Sequence, residues 1–201
     1  MTAIAGIAVP DSETARAAEA FARERSPWML YAHAKRAYLW AALLAHGERY
    51  DAEALFVAAV LHDIGLAPGF EDPVRPFEIV GAGVAVKQIP DWEQARRDNV
   101  YRAIVLHMAS EIAASESPEV RLLDAGVTCD VRGRDLEHVG DRERDEILRQ
   151  LPRGSFKPEF AALMQREAER KPSSAAAVLI GHGMLDAIRD SPFADTPNPP
   201  G

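Results

Sequence analysis

Apolar positions recur at helical spacing along almost the whole chain. Trp28, Met29, Ala32, Tyr38, Leu39, Ala42 and Leu43 form one such face, and Ser26-Pro27 ahead of it supplies an N-cap and an N1 proline. Asp51 is placed to cap a second helix through Leu55, Phe56, Val57, Val60 and Leu61, with Gly65 as its stop. Three prolines, a glycine and two acids between Ala67 and Pro76 predict irregular loop. Phe77 to Ile89 reads as a further helix despite Gly81 and Gly83, and Asp91 to about His107 as the next. Ser117-Pro118 repeats the cap signature before Val120, Leu122, Leu123, Val127 and Asp130. Asp141 to Leu151, Pro158 to Arg170 and Ser173 to Arg189 predict three amphipathic helices, separated by Pro152, Gly154 and Pro172. Residues 191–201 carry four prolines and no sustained apolar pattern, so a flexible tail is expected. No alternating strand pattern of useful length and no internal repeat occurs. The expected fold is all-α: a compact multi-helix bundle forming one domain over residues 1–190. Its core lies near 28–133, with a C-terminal helical extension near 141–190.

Composition narrows the partners. At 201 residues and 47% apolar content the chain can bury a full core. Thirty-one acids against 23 bases give a net charge of −8, the wrong sign for a nucleic-acid or anionic-membrane surface. No apolar run approaches the roughly 20 residues of a membrane helix. The segment Met1-Thr2-Ala3-Ile4-Ala5-Gly6-Ile7 lacks a basic leader, and the single cysteine, Cys129, forms no internal disulfide. A cytoplasmic protein with a small-molecule substrate is the expectation. Apolar helices beside the core leave room for a homo-oligomer.

Candidate chemistry centres on His62-Asp63, followed by Ile64-Gly65 at the end of an apolar helix. Neighbouring helical side chains point about 100° apart, so the pair reaches one ion only where the helix end faces it. Alone, the dipeptide is common, and a capped helix end accounts for it. His33 lies on the preceding apolar helix, and Asp130 near the end of a later one. A buried aspartate needs a partner or a metal. Two histidines and two aspartates form a mixed nitrogen and oxygen set suited to zinc, iron or manganese.

His33, His62-Asp63 and Asp130, in that order on predicted helices, resemble the signature of the HD-domain superfamily of metal-dependent hydrolases. The resemblance spans about Trp28 to Gly133. Tyr31-Ala32-His33-Ala34-Lys35-Arg36-Ala37-Tyr38, the block from Leu55 to Leu66, Phe77-Glu78-Ile79-Val80-Gly81-Ala82 and Ala103-Ile104-Val105-Leu106-His107 are similar to blocks of its cyanamide-hydratase-like branch. That branch is similar to zinc enzymes that add water to cyanamide and give urea. Ala34 stands where the branch commonly has serine, and Met108-Ala109-Ser110 departs from the His-Gln-Asp of the hydratases proper.

The resemblance implies one divalent metal, zinc first with iron or manganese as alternatives, on His33, His62, Asp63 and Asp130. Asp63 would also take the proton of the attacking water. His107 would orient substrate, move a proton or bind a second metal, and a core histidine bonded to a carbonyl is its structural alternative. Arg36, three residues after His33, would pair with Asp130 or another acid, or touch substrate. Glu78 would support the site or offset a helix dipole. His46, His138, His182 and Cys129 carry structural readings only. The implied activity is hydration of a small carbon–nitrogen compound. The alternatives are phosphoester hydrolysis and non-catalytic ligand sensing. Leu66 replaces the lysine that follows His-Asp-Ile-Gly in many phosphohydrolases, and the chain has only four lysines, which favours the first.

Overall fold

A computed structural model describes residues 2–196. It opens with a hairpin in which β1 (Ala3–Ile4) pairs antiparallel with β2 (Ile7–Ala8), too short to leave an alternating pattern. Helix α1 (Glu13–Arg25) follows, its first turn capped by Ser12, whose hydroxyl accepts from the Ala15 N–H at 3.0 Å. The periodicity does not predict α1, because its inward face is Ala15, Ala18 and Ala22. Alanine methyls give a weak apolar stripe among charged neighbours.

Helix α2 (Trp28–Leu44) is the axis of the molecule, buried on every side from Met29 to Ala41. Helix α3 (Ala52–Leu61) is buried from Ala54 onward, with Asp51 as its N-cap. Around them stand α4 (Phe77–Lys87), α5 (Gln94–Leu106) and α6 (Pro118–Arg132). The remaining helices are α7 (Asp141–Gln150), α8 (Phe156–Arg170), α9 (Ala175–Gly181) and α10 (Met184–Arg189). The architecture among the described residues is an all-α bundle, as the pattern predicts. No helix among them is long and apolar enough to cross a membrane.

The most extensive contact between two helices is that of α2 with α6. A Cβ on Gly126 would lie 2.1 Å from the Ala37 carbonyl oxygen, so only glycine lets the two backbones meet there. One turn along each antiparallel-facing row, Asp130 meets His33, and the contact sets one wall of the site.

Three boundaries differ from expectation. Helix α5 begins at Gln94 because Trp92 is held in a turn by the Ile89 carbonyl. The stretch from Ser173 to Arg189 is two helices, broken at His182-Gly183, where Gly183 takes a left-handed φ of 88°. Residues 191–196 are packed rather than loose, with Ser191 and Phe193 buried. Residues 197–201 of the expected tail lie outside the described residues.

Candidate metal centre

The geometry of His62-Asp63 comes from the way α3 stops. The helix ends at Leu61, earlier than the Gly65 stop that the sequence predicts. His62 keeps helical angles, but Asp63 leaves them (φ −100°, ψ 7°) before a 3-10 turn over Ile64–Leu66. The break brings Asp63 Oδ2 to 3.2 Å from His62 Nε2. His33, from the middle of α2, places its own Nε2 3.5 Å from the same oxygen and 3.2 Å from His62 Nε2. His107, at the end of α5, stands with Nε2 3.6 Å from Asp63 Oδ1.

Each imidazole is oriented through its other nitrogen. His62 Nδ1 donates to the Ala59 carbonyl at 2.7 Å and His107 Nδ1 to the Ile104 carbonyl at 2.5 Å. His33 Nδ1 donates to Asp130 Oδ2 at 2.8 Å. Carbonyls and carboxylates only accept, so each Nδ1 carries the hydrogen and each neutral ring turns an Nε2 lone pair inward. Lone pairs on His33 and His62 therefore face each other beside a carboxylate, and Asp63 Oδ2 and His107 Nε2 have no hydrogen-bond partner. A buried array of this kind calls for positive charge.

Titration shifts reflect the same demand. Burial works against charge on His62, but the Asp63 carboxylate beside it raises its pKa above the ordinary value. Burial dominates at His33 and lowers its pKa, despite the bond to Asp130. Burial opposes ionisation of Asp63 too, and the adjacent histidines hold its carboxyl well below the usual range. His33, His62 and Asp63 are all buried, and their donor atoms lie within 4.8 Å of one another. This donor set, two neutral imidazoles and a carboxylate, can hold a divalent metal ion.

Asp130 does not join it. Its carboxylate accepts from Arg36 Nε at 2.8 Å, Arg36 Nη2 at 2.9 Å, Trp40 Nε1 at 2.8 Å and His33 Nδ1. Both oxygens are engaged by these donors on the Nδ1 side of the His33 ring, and Asp130, the expected fourth ligand, lies outside the group of donor atoms that could share one ion. Burial opposes its charge, but Arg36 and Arg153 hold its carboxyl far below the ordinary value. Arg36 is buried against Asp130 and the Leu151 carbonyl.

Glu78, in the first turn of α4, is 5% exposed, and its Oε2 has no hydrogen-bond partner. Burial raises its pKa. The neighbouring acid Glu167 is satisfied differently, accepting from the Phe77 N–H and from Lys171.

His107 also lines a cavity of about 530 Å³. Its walls include Ser110, Thr128, Arg132, Arg134 and His182, and His107 is the one member of the histidine–aspartate group that lines it. Sequence reasoning assigned His182 a structural role and did not single out the wall residues of α6. Thr128 and Val131 share a face four and seven residues on from Asp124, a helical spacing that only reads as a wall once the opposite side is occupied by Asp130. Arg153 and the polar role of Trp40 were also missed. Arg153 lies between a proline and a glycine, where no periodicity marks burial.

Residues 30–130 match the family model described as HD domain, a span that runs from the turn before His33 to Asp130 itself. No curated protein matches the chain.

Proposed function

The chain belongs to the HD domain family, generally metal-dependent hydrolases, and from that premise we propose that it hydrates a small carbon–nitrogen substrate, a nitrile or a cyanamide. The convergence of three imidazole Nε2 atoms on the two oxygens of Asp63 carries the reading. His33, His62 and Asp63 are the metal-holding residues in this reading, with zinc the first choice for two imidazoles and a carboxylate and iron or manganese the alternatives. When bound, a divalent cation supplies Lewis acidity and makes hydroxide accessible near neutral pH.

The remaining chemistry belongs to the chain. Asp63 presents Oδ2 to the two ligand histidines and Oδ1 to His107, so one carboxylate serves both metal retention and acceptance of the water's proton. His107, with Nδ1–H anchored on Ile104, offers Nε2 as the single atom able to pass a proton between Asp63 and a substrate nitrogen. Addition of water across a carbon–nitrogen multiple bond needs this transfer and no leaving group. The 530 Å³ cavity that His107 lines is within the range of small-molecule sites, and it accommodates a substituted nitrile as well as cyanamide.

A second reading, phosphoester hydrolysis, is favoured by Arg132 and Arg134 on the cavity wall. Arg134 is already paired with Asp124, which leaves Arg132 as the cation on offer there. Metal content of the purified protein and of Asp63→Ala, with assays for urea from cyanamide, for amide from simple nitriles and for phosphate from a generic phosphoester, decides between them. Urea or amide formed by the metal-loaded protein and lost in the variant is the expected result. Phosphate release alone moves the assignment to the second reading.

A further inference from the structure

Arg153 is 1% exposed and belongs to no helix, lying between α7 and α8. Its Nη1 donates to the Asp130 backbone carbonyl at 2.9 Å and stands 3.3 Å from Asp130 Oδ1. That carbonyl is among the last four of α6, which have no partner within the helix, so a cation there both caps the helix and offsets its dipole. Arg36 alone balances the charge of Asp130. A second guanidinium beside the carboxylate fixes the position of the group to which His33 Nδ1 is bonded.

The plane of Arg153 is held between two rings. Phe156 lies 4.4 Å from the guanidinium carbon and Phe193 4.8 Å. Phe193 also stacks on Trp40 at 5.8 Å, and Trp40 donates to Asp130 Oδ1. Phe193 comes from the segment after α10, which is fastened along its length. Pro192 closes over Gly133, where a Cβ would come within 2.4 Å of the proline ring and where φ is 77°. Thr196 exchanges two 3.0 Å hydrogen bonds with Gly154, the residue after Arg153. Lys157 Nζ donates to the Ser191 carbonyl at 2.8 Å.

We propose that Arg153 is a positioning residue of the metal centre and that residues 191–196 form the strap that sets it. The line of contact runs from Phe193 through Arg153 and Asp130 to the Nδ1 of His33. This inference rests on the reading of His33, His62 and Asp63 as metal-holding residues.

The test measures zinc affinity of the full chain by competition with a chromogenic chelator, alongside the melting temperature in excess chelator. The proteins are wild type, Arg153→Lys, Phe193→Ala and Phe21→Ala. Phe21 packs against Phe70 on α1, away from the centre, and controls for general loss of packing. Lysine keeps the charge but has no plane to lie between the rings. Outer partners of metal-bound histidines typically contribute about 10–100-fold in affinity, so Arg153→Lys is expected to weaken zinc binding by roughly that factor. Phe193→Ala is expected to weaken it about 10-fold. It removes none of the groups that bond Asp130, only the ring that holds two of them, and it carries the test should Arg153→Lys not fold. Phe21→Ala is expected to lower the melting temperature with zinc affinity unchanged. Wild-type affinity in Phe193→Ala, or an equal loss in Phe21→Ala, overturns the strap while leaving the metal reading intact. A wild-type protein that takes up no zinc overturns the metal reading itself, and the strap with it.

Discussion

The Nε2 atoms of His33 and His62 stand 3.2 Å apart with the hydrogen of each ring donated in the opposite direction, to Asp130 and to the Ala59 carbonyl. Two imidazoles so oriented repel unless a cation lies between them and the nearby Asp63. This relationship separates the residues that could hold a metal from those that orient them.

Asp63 and Asp130 should therefore fail differently. Asp63→Ala is expected to abolish metal uptake while the chelator-treated protein melts near the wild-type temperature. Asp130→Ala strands Arg36 and Arg153 in the core, and removing one partner of a buried ion pair costs about 3–5 kcal/mol. Denaturant unfolding in excess chelator checks the contrast, and equal losses in the two variants would count against it.

Metal binding should stabilise the fold. A ligand at about 100 times its dissociation constant adds about 2.7 kcal/mol. For a chain of this size that is roughly 5–10 °C in melting temperature. A thermal scan with zinc and then with chelator should show a rise and its reversal, and Asp63→Ala should show neither.

His107 is anchored through Nδ1, bears an unpartnered Nε2 beside Asp63 Oδ1, and lines the cavity. His107→Gln is expected to keep the metal and lose about 10²–10⁴-fold in turnover, the usual contribution of a positioned acid or base. Loss of metal in this variant would make His107 a ligand instead.

Asp51 ties the start of α3 to α5. It accepts from the Ala54 N–H at 3.0 Å and from Arg96 at 2.6 and 2.9 Å. Burial opposes its charge, but Arg96 and the capping N–H groups lower its pKa below the ordinary value. A depressed folded-state pKa stabilises above the unfolded value, near 3.9, and that stability is lost as pH falls through the folded value. Asp51→Ala should cost about 1 kcal/mol at neutral pH, as lost N-caps do. The gap from wild type should narrow as pH falls below about 4, where the unfolded state takes up the proton first, and close below the lower folded-state value. Urea unfolding at pH 7 and pH 3 measures it.

Much of this architecture was legible in local pattern. Ser117-Pro118 marks the start of α6 and Asp51 that of α3, because caps act through backbone groups two or three residues away. His62-Asp63 stands out because polar groups interrupt an apolar run. The hidden parts are those whose signals are weak or non-local. Helix α1 buries only alanines, and the break at His182-Gly183 falls inside a stretch whose apolar spacing continues across it. Arg153 has no local signature at all.

The order His33, His62-Asp63, Asp130 on a helical background was enough to identify an all-helical HD chain with a group that could hold a cation, since residue type and helical period are local properties. Which of these residues faces that site was not. The backbone break at Asp63 turns its carboxylate onto the histidines, while contact between α2 and α6 at Gly126 sets Asp130 behind His33 rather than beside it. A side chain's direction depends on how two distant helices meet, and that is a property of packing that no single segment of the chain contains.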